Sequence, residues 1–133
     1  MTLKATRSQT DVLDVLRQHG GALSAYDVLG TLRMTNPTIS APTIYRALAA
    51  LAASGRVHRL ASVSAYIAAA PTTVGNTAIL SICDDCGLVE QNAAPDLLTE
   101  LTKLAEQSGF SEMNDVIELH GRCASCVGSM EQA

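Results

Sequence analysis

The four cysteines of this chain fall into two C-x2-C pairs, and these pairs are its clearest chemical feature. Cys83 and Cys86 form the first pair, and Cys123 and Cys126 form the second pair after 36 intervening residues. Two residues between cysteines let one tight turn present both sulfurs to a single ion, and two such turns complete the tetrahedron that zinc prefers. The spacing therefore predicts a structural Zn2+ site, about one per monomer.

Two other uses of the cysteines remain open on spacing alone. Four thiolates can hold an iron–sulfur cluster, and a single C-x-x-C can be a thiol redox pair. The redox interpretation does not explain why the chain has two pairs. A closed set of four thiolates leaves no coordination position for a substrate, so we do not expect an enzyme.

The composition predicts small domains that need stabilisation from outside their own cores. The chain has 133 residues, of which 47% are hydrophobic but only 3% aromatic, with no Trp and a single Phe at Phe110. Aliphatic side chains must therefore build the core. A small domain with such a core usually depends on a metal, a disulfide or a partner subunit.

Charge divides the chain into halves of opposite sign. Residues 1–70 carry seven Lys or Arg against three Asp, a balance of +4, whereas residues 71–133 carry two basic against ten acidic residues, a balance of −8. A basic half can contact phosphate while an acidic half is held away from it. Two solvated surfaces that differ by chance would give the same pattern, so charge alone does not decide for nucleic acid.

The sequence carries no signal for secretion or membrane insertion. The first ten residues, MTLKATRSQT, have no apolar segment, and no later run approaches the roughly 18 apolar residues needed to span a bilayer. We therefore expect a cytoplasmic protein with no membrane partner. In that reducing compartment cysteines are more often metal ligands than disulfides.

Periodicity predicts a winged helix-turn-helix in the first half of the chain. Apolar residues at helical spacing indicate three helices, each bounded by a cap, a glycine or a proline. Two short strand candidates follow and would form the hairpin of the wing. The predicted elements are helices at 7–19, about 25–33 and 42–54, and strands at 56–60 and 64–68.

The start of the third helix concentrates groups that suit contact with DNA. Thr43, Tyr45 and Arg46 stand there beside unpaired backbone N–H groups, on a helix that is otherwise apolar. Hydroxyl and N–H groups bind phosphates, and a guanidinium can bind a base edge with two hydrogen bonds. The alternative is a buried helix in which Tyr45 belongs to the core and Arg46 is merely solvated.

The second half is predicted to be a small α/β unit behind a linker. Residues 69–77, AAPTTVGNT, are typical of a hinge. Strands at 78–83, 88–91 and 116–119 and a helix beginning at Pro95 follow. The sequence thus predicts an α+β protein with a winged-helix DNA-binding domain at 1–68, a hinge at 69–77, and a dimerisation domain with the four-cysteine zinc at 78–133.

Four motifs, in this order and spacing, resemble the ferric uptake regulator superfamily. They are S-A-Y-D at 24–27, P-T-I-Y-R-A-L at 42–48, I-C-D-D-C-G at 82–87 and H-G-R-C-A-S-C at 120–126. The extended S-A-Y-D-V-L sequence and the H-G-x-C-x-x-C ending are most similar to the zinc uptake regulators. The resemblance covers the chain from Ala5 to Val127.

The resemblance implies a repressor that binds DNA. The third helix would enter the major groove, with Arg46 and Tyr26 contacting purines and with Thr43 and Tyr45 holding phosphates. The chain would act as a homodimer on an A/T-rich, pseudo-palindromic operator in double-stranded DNA. Dimerisation would come from the second half of the chain.

The chain departs from the family where its members sense metal. Their second site uses His, Cys and carboxylate residues near the wing and hinge, whereas residues 68–77 here contain none of these. Alanines at 68–70 and Asn76 stand where sulfur and imidazole are expected, and the acidic position is shifted or lost at Glu90-Gln91. The residues left for a weak second site are His58, Glu90, Asp115 and His120.

Three interpretations of this departure remain. The chain could bind DNA constitutively or in response to something other than zinc, it could respond to zinc through a minimal atypical site, or it could form a heterodimer with an intact paralogue. We favour the first, because no three good ligands assemble around a second metal.

Overall fold

The computed structural model describes residues 6–74, 78–111 and 117–131, with side chains described up to residue 128. The chain divides into two compact units, one ending at Ala70 and the other beginning at Pro71. Its elements are α1 Arg7–His19, α2 Ala25–Arg33, α3 Ala41–Ala53, β1 Val57–Leu60, β2 Ala65–Ala68, β3 Ala78–Cys83, β4 Val89–Ala93, α4 Pro95–Gln107, β5 Ile117–Gly121 and α5 Ala124–Glu131.

Three capped helices build the first unit around an aliphatic core. Side-chain oxygens of Thr6, Ser24 and Ser40 accept backbone N–H groups at the starts of α1, α2 and α3. Gly20 ends α1 in the left-handed conformation with φ 78°, which favours glycine. The fully or nearly fully buried core residues come from all three helices and β1, and include Val12, Leu16, Val28, Ile44, Leu48, Leu51 and Val57. The three predicted helices are confirmed.

The hairpin β1-β2 follows as an antiparallel pair, with Val57 opposite Ala68. A short 3-10 turn at Ala61–Val63 and Ser64 at φ 50° connect the two strands. Leu23 exchanges two backbone hydrogen bonds with Tyr66 at 2.9 and 2.8 Å, which ties the segment before α2 to the hairpin. This bridge was not predicted, because one residue gives no periodicity. Three helices and a hairpin in this order form a winged helix-turn-helix.

A three-stranded sheet organises the second unit. β3 lies in the centre, antiparallel to β4 and parallel to β5. Most of β3 is buried, including Ile79, Leu80 and Ile82. The buried hydrophobic residues described in this unit all come from β3, so its core is thin. The α5 helix, which begins directly after Cys123, was not predicted, because its small residues carry no apolar stripe.

Helix α4 leaves its leucines substantially exposed. Leu97, Leu101 and Leu104 are 44, 43 and 60% exposed, and no residue of α4 is buried within the chain. A helix with an apolar side of this kind usually packs against another surface. No helix among the described residues is long and apolar enough to cross a membrane.

Candidate metal centre and nucleic-acid interface

The parallel pairing of β3 and β5 brings the two cysteine pairs together. Cys83 lies opposite Gly121 in the register, so both C-x2-C segments leave the sheet at the same end. The backbone N–H of Asp84 donates to the carbonyl of Gly121 at 2.8 Å, and this bond joins the two segments directly. The pairing of β3 with β5 therefore brings two C-x2-C segments that are far apart in the sequence into contact.

The four sulfurs are arranged as the corners of a metal site. Their Sγ atoms all lie within 4.8 Å of one another. The Cys83 and Cys126 sulfurs are 3.7 Å apart, as are those of Cys86 and Cys123. A tetrahedron with Zn–S bonds of about 2.3 Å has edges of about 3.8 Å. The donor set and its spacing therefore fit zinc.

Backbone donors favour the charged form of one cysteine in this cluster. The N–H groups of Cys123 and Cys86 point at the Cys83 sulfur at 3.3 and 3.5 Å, and they lower the pKa of that thiol to about 6. The neighbouring sulfurs, Cys123 first, raise the pKa of Cys126 to about 12. Four adjacent thiolates repel one another, and a divalent cation removes that repulsion.

Besides the sulfurs, two pairs of acidic and basic side chains connect the two cysteine turns. Asp84 and Asp85, between the first two cysteines, contact His120 Nδ1 and Arg122 Nε, each at 2.9 Å. Arg122 also donates to the carbonyl of Cys126 at 3.3 Å. We did not predict these contacts, although the complementary charges of C-D-D-C and H-G-R-C were a usable signal.

Replacing Arg122 with alanine is expected to speed the release of zinc to a chelator about fivefold. The substitution removes a half-exposed ion pair and one hydrogen bond to a carbonyl, which together contribute about 1 kcal/mol. The measurement is the rate at which a coloured chelator takes up zinc from the holoprotein. Lys103→Ala, an exposed change on α4, is the control. Equal release rates for both variants would show that the Arg122–Asp85 ion pair does not stabilise the zinc site.

Helix α3 presents its polar residues on an exposed face. Ile44, Ala47 and Leu48 are buried, whereas Tyr45 is 57% exposed and Arg46 is exposed. The interpretation of Tyr45 as a core residue is therefore wrong. No ion pair or hydrogen bond of the Arg46 side chain is formed with the described part of the chain. Its guanidinium is available to a partner.

The helix start is also prepared for an anion. The Ser40 hydroxyl accepts the N–H of Thr43 and lies 2.9 Å from the Thr43 hydroxyl. The α3 sequence contains no acidic residue that would oppose a phosphate. Tyr26, at the exposed start of α2, is 80% exposed. Of the side chains that the sequence selected for DNA contact, Tyr26, Tyr45 and Arg46 are therefore exposed, and Thr43 is partly exposed.

The residues of the possible second metal site are only partly described. His58 lies in the first unit, and its burial lowers its pKa, because desolvation disfavours the charged imidazolium. Glu90 is exposed on β4, His120 contacts Asp84, and Asp115 lies outside the described residues. Within the described ranges, the four cysteines are the one group of three or more ligand residues close enough to share a metal. The second site remains a prediction.

A winged helix-turn-helix followed in one chain by a four-cysteine site that fits a metal ion defines a class of metal-binding DNA regulators. A model of the ferric uptake regulator family matches residues 1–120. This chain belongs to the ferric uptake regulator family. Its resemblance to that family is thereby confirmed.

The chain is similar to zinc regulators in particular. It is 37% identical to the zinc uptake regulation protein of Escherichia coli K12 over 129 residues, which cover 94% of this chain and 74% of that protein. It is 31% identical to the ferric uptake regulation protein of Bordetella parapertussis over 127 residues, covering 95% and 91% of the two chains. These relatives are regulators and not enzymes.

Two solved structures agree with this placement. A zinc uptake regulator complexed with zinc and DNA matches with a TM-score of 0.85 and 36% identity, covering 97% of this chain and 87% of the other. The holo form of XcZur also gives a TM-score of 0.85, with 32% identity and coverage of 96% and 89%. The α+β fold predicted from the sequence is confirmed.

Proposed function

We propose that this chain is a sequence-specific transcriptional regulator, a repressor that binds double-stranded DNA as a homodimer and holds one structural zinc per monomer. The exposed, acid-free face of α3 is the observation that carries this proposal. On it, Arg46 and Tyr45 project from a helix whose opposite face is fixed in the core. Arg46 with Tyr26 reads purines, and Thr43 with Tyr45 holds phosphates.

The two halves of the chain have separate tasks in this proposal. Residues 1–68 form the DNA-binding domain, 69–77 the hinge and 78–133 the dimerisation domain. The +4 balance of residues 1–70 favours approach to phosphate, and the −8 balance of residues 71–133 keeps the other half off the DNA. By resemblance to the family the operator is A/T-rich, and it is a pseudo-palindrome because a twofold dimer presents two equivalent helices. The protein acts in the cytoplasm, where its DNA target lies.

A second copy of the chain is the partner that the exposed side of α4 requires. Leu97, Leu101 and Leu104 leave a continuous apolar stripe outside a unit whose own core is thin. Burying that stripe against the same stripe of a partner satisfies both copies. The closed four-thiolate centre offers no position to a substrate, which supports a structural and not a catalytic zinc.

DNA selection from a random library tests this function. The purified zinc protein is expected to enrich an A/T-rich inverted repeat, and a metal assay of the same sample should find about one zinc per chain. Arg46→Ala protein serves as the matched control and should enrich the repeat weakly. Recovery of unrelated sequences at equal frequency by both proteins would contradict sequence-specific binding.

A further inference from the structure

Thr73 is a polar residue in a place where polar residues are costly. Its side chain is 0% exposed, although it lies in the segment that the sequence identified as a hinge. A hydroxyl buried in this way is stable only when it is hydrogen-bonded. The Thr73 hydroxyl donates to the Oε1 atom of Gln91 on β4 at 2.9 Å.

This hydrogen bond attaches Thr73, near the end of the segment that connects the two units, to the three-stranded sheet. Gln91 belongs to an edge strand paired with β3 through the Leu80–Gln91 register. It also occupies one of the two positions, with Glu90, where the family pattern places an acidic metal ligand. The amide oxygen of a neutral Gln at this position accepts a hydrogen bond from the Thr73 hydroxyl, and no cation is needed.

A second hydrogen bond fixes the upstream end to the first unit. The backbone N–H of Ala69 donates to the carbonyl of Arg56 at 2.9 Å, continuing the β1-β2 ladder by one step. Residues 70–72 then remain between the two anchors, and one of them is Pro71, whose φ is fixed by its ring. Four residue steps separate Ala69 from Thr73, so their Cα atoms are at most about 14 Å apart. The whole nine-residue segment 69–77 could span at most about 30 Å when fully extended.

We propose that Thr73 and Gln91 form a metal-independent latch, a hydrogen bond that fixes the end of the connecting segment 69–73 to the sheet of the second unit. With fewer residues left between the two anchors, less conformational entropy is lost when both helices of a dimer bind one operator. This inference rests on the proposed DNA-binding function for its consequence, but the latch itself is independent of DNA.

Hydrogen exchange on the zinc-loaded full chain tests the latch without DNA. Thr73→Val and Gln91→Leu each remove one side of the hydrogen bond at nearly constant shape. Both are expected to speed amide exchange in residues 72–74 about tenfold, whereas Thr72→Val, an exposed neighbour, should leave it unchanged. Gln91→Glu keeps an acceptor and should restore slow exchange. Gln91 is half-buried, so its substitution disturbs the fold less. The Gln91 variants therefore test the latch even if Thr73→Val protein fails to fold.

Operator affinity measured with a chelator that leaves the cysteine zinc bound tests the consequence. Thr73→Val and Gln91→Leu are expected to bind at least about fivefold more weakly than the unchanged chain, with Thr72→Val and Gln91→Glu near the unchanged value. Exchange rates equal to those of the unchanged chain in both latch variants would overturn the proposal. Faster exchange with unaltered affinity would overturn its role in DNA binding. A failure of the unchanged chain to bind any DNA would instead contradict the proposed function.

Discussion

Cys123→Ser protein is expected to lose its zinc and the folded structure of the unit from Pro71. The described core of this unit rests on a few aliphatic residues of β3, so little remains when the metal is lost. Zinc at a four-thiolate site contributes on the order of 10 kcal/mol to folding, which exceeds the whole stability of an ordinary small domain. Metal analysis and hydrogen exchange measure the two losses separately.

The first unit provides an internal reference for this experiment. Its core is built from three helices and a strand, and it contains no cysteine. Slow exchange in α1 to α3 should therefore survive the substitution while β3 and β5 exchange rapidly. Ala124→Ser, which alters the same turn without touching a sulfur, should keep one zinc. Retention of zinc and slow exchange by Cys123→Ser would show that the cysteines are not a structural metal site.

Arg46→Ala is expected to weaken specific operator binding by about 1–3 kcal/mol, roughly 5- to 150-fold, and to relax the preference at one base position. The side chain is exposed and its helix is held by buried residues on the other face, so the fold is unaffected. Fluorescence anisotropy with operator and mutated operators measures both effects.

Arg17→Ala is the charge-matched control for Arg46→Ala. Arg17 is an exposed arginine in the last turn of α1, and its removal changes the net charge equally. Any loss of affinity that the two variants share reflects general attraction to phosphate. Equal losses in both would contradict the assignment of α3 as the reading helix.

The elements that carry strong local signals were predicted well from the sequence. Ser24, Pro42 and Gly20 mark helix ends by local chemistry, and the apolar stripes they bound lie in the observed core. The metal centre could also be predicted, since the C-x2-C spacing lets one tight turn present two sulfurs to the same ion. The pairing of the two turns followed from donor count alone.

The contacts that sequence reasoning missed are those that depend on register. The pairs of Asp84 with His120 and of Asp85 with Arg122 exist because β3 and β5 are aligned in parallel with Cys83 opposite Gly121. The Thr73 hydrogen bond likewise depends on where β4 lies beside β3. Composition described this segment as a hinge, because single threonines in small polar stretches give no sign of burial.

The absence of ligand residues from 68–77 and the latch at Thr73 give one account of the metal chemistry. In this proposal, zinc stabilises the second unit, and the Thr73–Gln91 hydrogen bond fixes the end of the connecting segment to that unit. Neither feature makes the affinity for DNA depend on a loosely bound metal. Regulation of the target genes would then follow the amount of protein or a signal other than zinc.

The decisive measurement is the affinity for the selected operator across a range of buffered free zinc, with one zinc per chain retained throughout. If zinc is only structural, operator affinity should change less than about threefold between chelated and zinc-saturated conditions, because the cysteine zinc is already bound at both ends of the range. A tightening of about tenfold or more on zinc addition would contradict a purely structural role for zinc and would show that a second zinc is the signal.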